Sequence, residues 1–279
     1  EWSLMILDEN LIKAAYKAKD DEDQELERSL EEMEVLFIAL MMEYIDDIET
    51  TMETILEADY NAVLDISQAI YGKYPDKEPT KRFVERQLKA RTFKTDMRES
   101  ISPKLRNAYK DYYGGFNEGY GRDTEFNLGS KDYRKVNKWI NGLPKLMQLS
   151  TDTKVVKLIK ESYGEGKGPR WLESQLAELP EFSHYRARMT SITENMRMYS
   201  ASEYQAFIDN DAITGKIWRH THGIKDPREA HEAADGQVVA KDQPFIINGI
   251  KCQYPRDPDL PAEESINCHC FMEPVLKSD

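Results

Sequence analysis

The sequence predicts an α+β protein, with a mainly α-helical N-terminal region that includes a long helix and a small α+β module after it. Apolar residues recur at helical spacing through most of the first two hundred residues. From Ile217 onward, short β-type runs separated by Gly, Asp and Pro replace that pattern. We divide the chain at the glycine-rich segment Gly164–Pro169, which gives a helical domain at 1–163 and a C-terminal module at 164–279.

The long helix is predicted from a regular apolar stripe near the N-terminus. Four carboxylates at 20–23 suit the partly positive end of a helix, and no Gly or Pro follows before Gly72. We therefore expect one helix of about 50 residues and about 75 Å. The stripe advances 18 residues in five steps, a period of 3.6, through Leu26, Leu30, Met33, Phe37, Leu40 and Tyr44.

Helices are also predicted through the middle of the chain. A second helix contains Phe83, Leu88 and Phe93, and a third begins with Ser102 as N-cap and Pro103 in its first turn. Further helices are expected at 131–148, 151–163, 169–179 and 182–209.

Four aromatic residues alternate with four glycines at 112–121. The rings either stack on single-stranded bases or pad a close helix crossing that glycine permits, and we favour the crossing.

Four short runs predict the strands of the C-terminal module. The runs are Ile217–Arg219, Gln237–Ala240, Pro244–Ile247 and Ile250–Tyr254.

Charge is distributed unevenly along the chain. The net charge of −13 divides into −16 for residues 1–80, +10 for residues 81–170 and −7 for residues 171–279. A basic middle segment predicts either contact with a polyanion such as packaged double-stranded DNA or solvated lysine faces of a helical bundle. The candidate DNA-contacting residues are Lys81, Arg82, Arg86, Lys89, Lys131, Arg134, Lys135 and Lys138.

The composition of the sequence indicates the compartment in which the protein is made. The sequence contains no apolar run of the length of a membrane span, and Glu1–Leu11 lacks the pattern of a signal peptide, so we expect no membrane contact. Three cysteines crowded at one end favour a reducing compartment over a disulfide framework, which predicts synthesis in the cytoplasm.

Seven sequence features occur in order in the C-terminal part: Gly164–Leu179; Ala187-Arg188-Met189-Thr190; Lys216-Ile217-Trp218; Asp226 to His231; Asp235-Gly236; Phe245 with Pro255–Pro258; and Glu264–Cys270. Together they resemble the phage Mu F-like family of minor head proteins of tailed bacteriophages. Two positions depart from the family pattern. An acidic residue is displaced to Glu194, and His269 stands where Arg is commoner. We take Trp218, Asp226, Arg228 and Asn267 as the structural motif.

The resemblance implies a minor head protein without enzymatic activity, made in the host cytoplasm and located in the virion, in the head interior or at the portal vertex. Its role would be in head morphogenesis and in genome packaging or ejection. The implied partners are the portal protein, the scaffold or the major capsid protein, and the packaged DNA.

Four residues of the module predict a structural zinc site. His231, Cys268 and Cys270 would supply three donors, with Cys252 or His269 as the fourth. The alternative is a pair of buried thiols, with His231 hydrogen-bonded to the backbone.

A second alternative is enzymatic, a nuclease or other toxin-like enzyme that acts on nucleic acid. His220, His222, Arg228 and His231 would then converge as acid, base and cationic stabiliser. The sequence favours instead an ion pair between Asp226 and Arg228 beneath Trp218.

Overall fold

Helices occupy most of the chain up to residue 209, and the strands come after them. The computed structural model describes residues 23–28, 30–31, 36–122, 126–221 and 227–277. The chain divides into two units, Glu1–Met42 and Glu43–Asp279. The predicted boundary at 163/164 lies inside the second unit, at the end of a helix, and stays a prediction. The helices are α1 (Ile38–Lys73), α2 (Lys81–Leu88), α3 (Phe93–Asp96), α4 (Ser102–Gly119), α5 (Lys131–Gly164), α6 (Pro169–Ala177), α7 (His184–Asp209), α8 (Glu229–Glu232) and α9 (Ala262–Ser265).

The predicted 50-residue helix is shorter in the structure. Residues 23–28 are helical, but α1 begins only at Ile38 and has 36 residues, or about 54 Å. Phe37 has a φ of 62°, the left-handed conformation, which a continuous right-handed helix does not contain. The sequence gives no Gly or Pro signal for this break. None of the described helices is both long and apolar enough to cross a membrane.

The helix predicted to begin at Ser102 is continuous with the turn before it. A π-helical turn, Met97–Ile101, leads directly into α4, and the Ser102 N–H donates to the Met97 carbonyl five residues back. Ser102 is therefore a helical residue rather than an N-cap. The wider turn accommodates Pro103, which has no N–H to donate.

The helices predicted at 131–148 and 151–163 form the single helix α5. At Thr151, where the second of these helices was expected to begin, the hydroxyl donates to the Met147 carbonyl (3.2 Å) within the helix. Pro144 is also inside α5.

One core cluster joins α1, α2, α5 and α6. It contains Val63, Ile70, Val84, Leu88, Val155, Ile159, Leu172 and Leu176, each at most 2% exposed. A buried ion pair joins α1 to the turn after α2, where Arg91 Nη1 donates to Asp59 Oδ1 at 2.8 Å.

Helix α7 is surrounded by the rest of the second unit, because every residue from 191 to 207 is buried. The Tyr112 and Phe116 rings of α4 pack edge-on against Tyr199, with centroids 5.5 and 5.1 Å away. These aromatic residues are thus core residues and are not available to stack on bases. Gly114 and Gly119 are not needed for this packing, since a Cβ at either position would meet no atom within 4 Å.

The C-terminal module contains two antiparallel sheets. The strands are β1 (Ile213–Arg219), β2 (Val238–Ala240), β3 (Phe245–Ile247), β4 (Ile250–Cys252) and β5 (Phe271–Leu276). The three-stranded sheet has the order β2-β1-β5, and β3 pairs with β4 as a hairpin. Asn248 and Gly249 turn this hairpin with φ values of 51° and 76°, the backbone that an Asn-Gly pair favours. Strand β5 was not predicted from the sequence.

Candidate metal centre

One face of β1 points into the interior of the module. Side chains two apart along a strand share a face, and Lys216 and Trp218 are 0% exposed while His220, just after the strand, is 5% exposed. The Trp218 ring packs edge-on against His231 and Phe245, with centroids 5.8 and 5.4 Å away. Trp218 therefore packs directly against His231, one of the residues of the candidate site.

Strand pairing brings His220 to the cysteine motif. Arg219 is paired with Phe271 in the antiparallel register, so the next position along sets His220 against Cys270. The Thr221 hydroxyl donates to the His269 carbonyl (2.7 Å), which continues this alignment. His220 Nδ1 lies 3.6 Å from Cys270 Sγ.

His231 points at both cysteines of the Cys-x-Cys motif. It lies on the short helix α8 and is 2% exposed. Its Nδ1 lies 3.5 Å from Cys268 Sγ and 3.4 Å from Cys270 Sγ. The ligand atoms of these three residues all lie within 4.8 Å of one another, which is the packing that a shared metal ion requires.

A buried carboxylate holds the other side of the His231 ring. Glu264 Oε2, on α9, lies 3.0 Å from His231 Nε2, and Glu264 is 6% exposed. Its second oxygen accepts a hydrogen bond from the Asn248 side chain (2.8 Å). A carboxylate on Nε2 favours the tautomer with the proton there, which turns the Nδ1 lone pair toward the sulfurs.

The two thiols of the motif are coupled to each other. A hydrogen bond with Cys270 lowers the pKa of Cys268 well below that of an ordinary thiol, and the same bond together with burial raises the pKa of Cys270. The pair therefore holds one thiolate readily, and thiolate is the form of cysteine that binds metal.

The structure does not bring the two predicted fourth ligands into this group. Cys252 lies on β4 outside the group of mutually close ligand atoms, and burial raises its thiol pKa far above the ordinary value. His269 lies between the two cysteines, so its side chain takes the opposite side of the extended segment, where Nε2 lies 3.0 Å from Asn267 Oδ1. His220 is also outside the group of three, but its Nδ1 approaches one member of it, Cys270 Sγ, at 3.6 Å.

The remaining motif residues stabilise the loops around the site. Asn267 has a φ of 54°, and its N–H donates to the Thr193 hydroxyl of α7 (3.1 Å). Arg228 Nη2 donates to the Ile266 carbonyl (2.6 Å). Asp226, its expected ion-pair partner, lies outside the described residues, as does His222.

A buried arginine pair that the sequence did not reveal connects this segment to α7. Arg256 is 0% exposed and donates to the Cys268 carbonyl and to the Ser200 hydroxyl. Arg197 donates to the Arg256 carbonyl and to Glu194. Glu194 is the displaced acidic residue of the family pattern, and it also accepts from the Trp139 indole (2.7 Å). These bonds fix the backbone that carries Cys268.

The predicted DNA-contacting residues fall into two groups. Lys81, Arg82, Arg86 and Lys89 are exposed on α2, and Lys131, Arg134 and Lys138 are exposed near the start of α5. Lys135 is engaged, because its Nζ contacts Asp257 (2.5 Å) and Asp259 (2.6 Å).

The two basic groups are separated along α5. Helix α2 packs along α5 from Gln148, whose side chain donates to the Leu88 carbonyl, to Val155. These positions are 10 and 17 residues beyond Lys138, or about 15 and 26 Å of helix. They are therefore two surfaces rather than one.

Comparison with known proteins gives one family and one relative. Residues 153–273 match the family described as "Phage Mu protein F like protein". The chain is 34% identical over 154 residues to "Uncharacterized protein YqbB" of Bacillus subtilis (strain 168), an alignment that covers 54% of the chain and 50% of that protein. The chain thus spans about half the length of its curated relative. No solved structure matches the chain.

Proposed function

We propose that the protein is a minor head protein of a tailed bacteriophage that acts in head morphogenesis at the portal vertex, because residues 153–273 match the phage Mu F-like family. The family match carries the proposal. The finer assignments, to portal or scaffold contact and to genome packaging or ejection, rest on the same resemblance and are part of what we propose.

The surface of α1 supports docking on a protein partner. Its solvent face presents carboxylates along most of its length, at Glu43, Asp46, Glu57 and Asp65. An acidic face repels DNA and suits a basic protein surface. We infer that α1 meets the portal, the scaffold or the major capsid protein, while the C-terminal module is the family-defining part.

The head assignment is tested in particles. Antibody detection in purified heads should find the chain in a few copies per head, retained with the portal when heads are disrupted. Reversing the charge of Glu43, Glu57 and Asp65 to lysine should lower its incorporation. Reversing Glu229 and Glu232, which are equally exposed but lie in the C-terminal module, serves as control. Heads that lack the protein at every assembly stage would contradict the proposal.

A second candidate role, contact with packaged DNA, is favoured by the surface of α2. Arg82, Arg86 and Lys89 line an open groove of about 520 Å³ together with Phe83. Arginines that border an open groove suit phosphates, whereas the Phe83 ring is half-buried and packs against Tyr74. Of the two basic surfaces, this groove is the stronger candidate for DNA contact, because on the α5 surface Lys135 is paired with Asp257.

Salt dependence separates the two surfaces. Replacing Arg82, Arg86 and Lys89 by alanine should lower the slope of log affinity against log salt by about 2.7, since each phosphate contact contributes about 0.9. The matched triple replacement of Lys131, Arg134 and Lys138 should change the slope less. Binding of duplex DNA that does not weaken between about 50 and 200 mM salt would remove the phosphate explanation.

The nuclease alternative receives no support from the geometry. His220 and His231 are 5% and 2% exposed, and both rings face cysteine sulfurs rather than solvent. A general acid or base must reach the substrate, and a nucleic acid does not enter a packed interior. We therefore assign no catalytic residue. Shortened strands that disappear with His231→Ala would overturn this assignment.

A further inference from the structure

We propose that His220, His231, Cys268 and Cys270 bind one structural zinc ion, with Glu264 orienting His231 from behind. The ligand set differs from the one that the sequence indicated, because His220 replaces Cys252 and His269. The site would close the C-terminal module by tying the end of β1, the helix α8 and the start of β5 together.

Three of the six ligand-to-ligand distances match the edges of a zinc tetrahedron, and His220 must move toward Cys268 or His231 to complete it. Zn–S bonds of about 2.3 Å and Zn–N bonds of about 2.0–2.1 Å at the tetrahedral angle place sulfur and nitrogen about 3.6 Å apart. The three Sγ···Nδ1 distances are 3.4 Å for Cys270 to His231, 3.5 Å for Cys268 to His231 and 3.6 Å for Cys270 to His220.

Hydrogen bonding alone accounts poorly for this convergence. A neutral imidazole has one donor and one acceptor nitrogen, and Glu264 accepts the proton on Nε2 of His231. The Nδ1 atom then has one lone pair for two sulfurs at nearly equal distance. A single cation between them satisfies the nitrogen and both sulfurs at once.

The surroundings complete a metal-site pattern. A carboxylate on the far nitrogen of a ligating histidine is the usual outer partner in zinc sites, and Glu264 is itself held by Asn248. The buried Trp218 indole N–H has no hydrogen-bond partner among the described residues, and it lies within reach of Cys270. A metal-bound thiolate at Cys270 gives this donor an acceptor.

Metal content of the full chain is the first test. Protein purified without chelators and supplied with Zn²⁺ should retain about one zinc per chain after desalting. Substituting Co²⁺ should give the intense visible absorption of a tetrahedral site with thiolate ligands. Well under one zinc per chain, or the weak absorption of six-coordinate Co²⁺, would overturn the proposal.

Variants test the ligand set. Cys268→Ser and Cys270→Ser should abolish tight binding, and His220→Ala should weaken it. Cys252→Ser and His269→Ala are matched controls and should leave stoichiometry and affinity unchanged. If either control loses zinc as Cys270→Ser does, the assignment of His220 is wrong.

One variant keeps all four ligands, so it separates metal binding from misfolding. Glu264→Gln should still bind one zinc at saturation, with an affinity lowered about 10–100-fold, as other outer-shell partners behave. An unchanged affinity would contradict the role of Glu264. The measurement uses the isolated chain and Zn²⁺ alone, so its failure leaves the head assignment intact, and absence from heads leaves the zinc site intact.

Discussion

Lys216 is a fully buried lysine that should make the stability of the protein depend on pH. Its Nζ donates to the Gln253 carbonyl (2.7 Å) and side-chain oxygen (2.9 Å) and lies 4.3 Å from the Tyr204 ring centroid. Burial lowers the pKa of Lys216 to about 7, although Asp257, Asp132 and Asp242 favour the charged form. In the unfolded chain the lysine has its ordinary pKa of about 10.4.

Proton linkage to Lys216 determines how the free energy of unfolding changes with pH. Between these two pKa values the unfolded chain binds the proton and the folded protein does not, so stability rises with pH. The cost of the buried lysine is fully present below pH 7 and disappears as the pH approaches the unfolded value. From pH 7 to pH 9 the free energy of unfolding should rise by about 2 kcal/mol from this group.

Lys216→Met should remove that rise. At pH 7 the variant no longer carries the destabilisation of about 4 kcal/mol that the buried lysine causes. It also leaves two acceptor oxygens of the half-buried Gln253 without their donor, which destabilises the folded state by about 1–3 kcal/mol each. The net change at pH 7 is therefore small, and the difference lies in the slope. Lys251→Met, on the exposed side of β4, is the control.

The assay is urea unfolding of both variants and the parent at pH 7, 8 and 9. The parent and Lys251→Met should gain stability relative to Lys216→Met as the pH rises. Parallel lines for all three proteins would show that Lys216 stays charged in the folded state, and the reasoning from its burial would then be refuted.

Urea unfolding also checks three further predictions. Arg91→Ala should cost about 3–5 kcal/mol, because it leaves the buried Asp59 carboxylate without its cation, whereas Arg82→Ala on the exposed face of α2 should change stability by at most about 0.5 kcal/mol. Gly215→Ala should cost about 1–3 kcal/mol, since its Cβ would lie 2.8 Å from the Val239 carbonyl oxygen across the sheet. Gly114→Ala should stabilise by about 0.5–1 kcal/mol, because the exposed helical position has open space. Equal losses for the two arginines, or a loss at Gly114 as large as that at Gly215, would contradict these accounts.

The class of the fold was predictable because local patterns carry it. The helical period and the short β-type runs after residue 217 gave α+β correctly, and the order of motifs pointed to the family that residues 153–273 match. The helix ends were less predictable. Phe37 breaks the first long helix without any turn residue, and α5 continues through Pro144 and Thr151, because tertiary packing overrides these local preferences.

The candidate metal site was predictable only in part, because strand β5 was not predicted from the sequence. His231, Cys268 and Cys270 were chosen from residue type and spacing, and the structure groups them. The contact of His220 with Cys270 depends on the register between β1 and β5, and β5 carries Pro274 and Glu273, which mask a strand pattern. Glu264 had no spacing signal at all, because its approach to His231 depends on how α9 packs.

The net charge of a segment overstates the basic charge that is available to a partner. The excess of basic residues at 81–170 suggested a polyanion partner, yet the structure uses part of that charge internally. Arg91 pairs with Asp59 and Lys104 with Asp47, which joins the basic middle to the acidic first third, and Lys135 pairs with Asp257. Ion pairs between segments of opposite charge are one way to specify how those segments pack. The α2 surface has no residue in these internal ion pairs, whereas the α5 surface loses Lys135 to them, so a test for DNA contact should begin at α2.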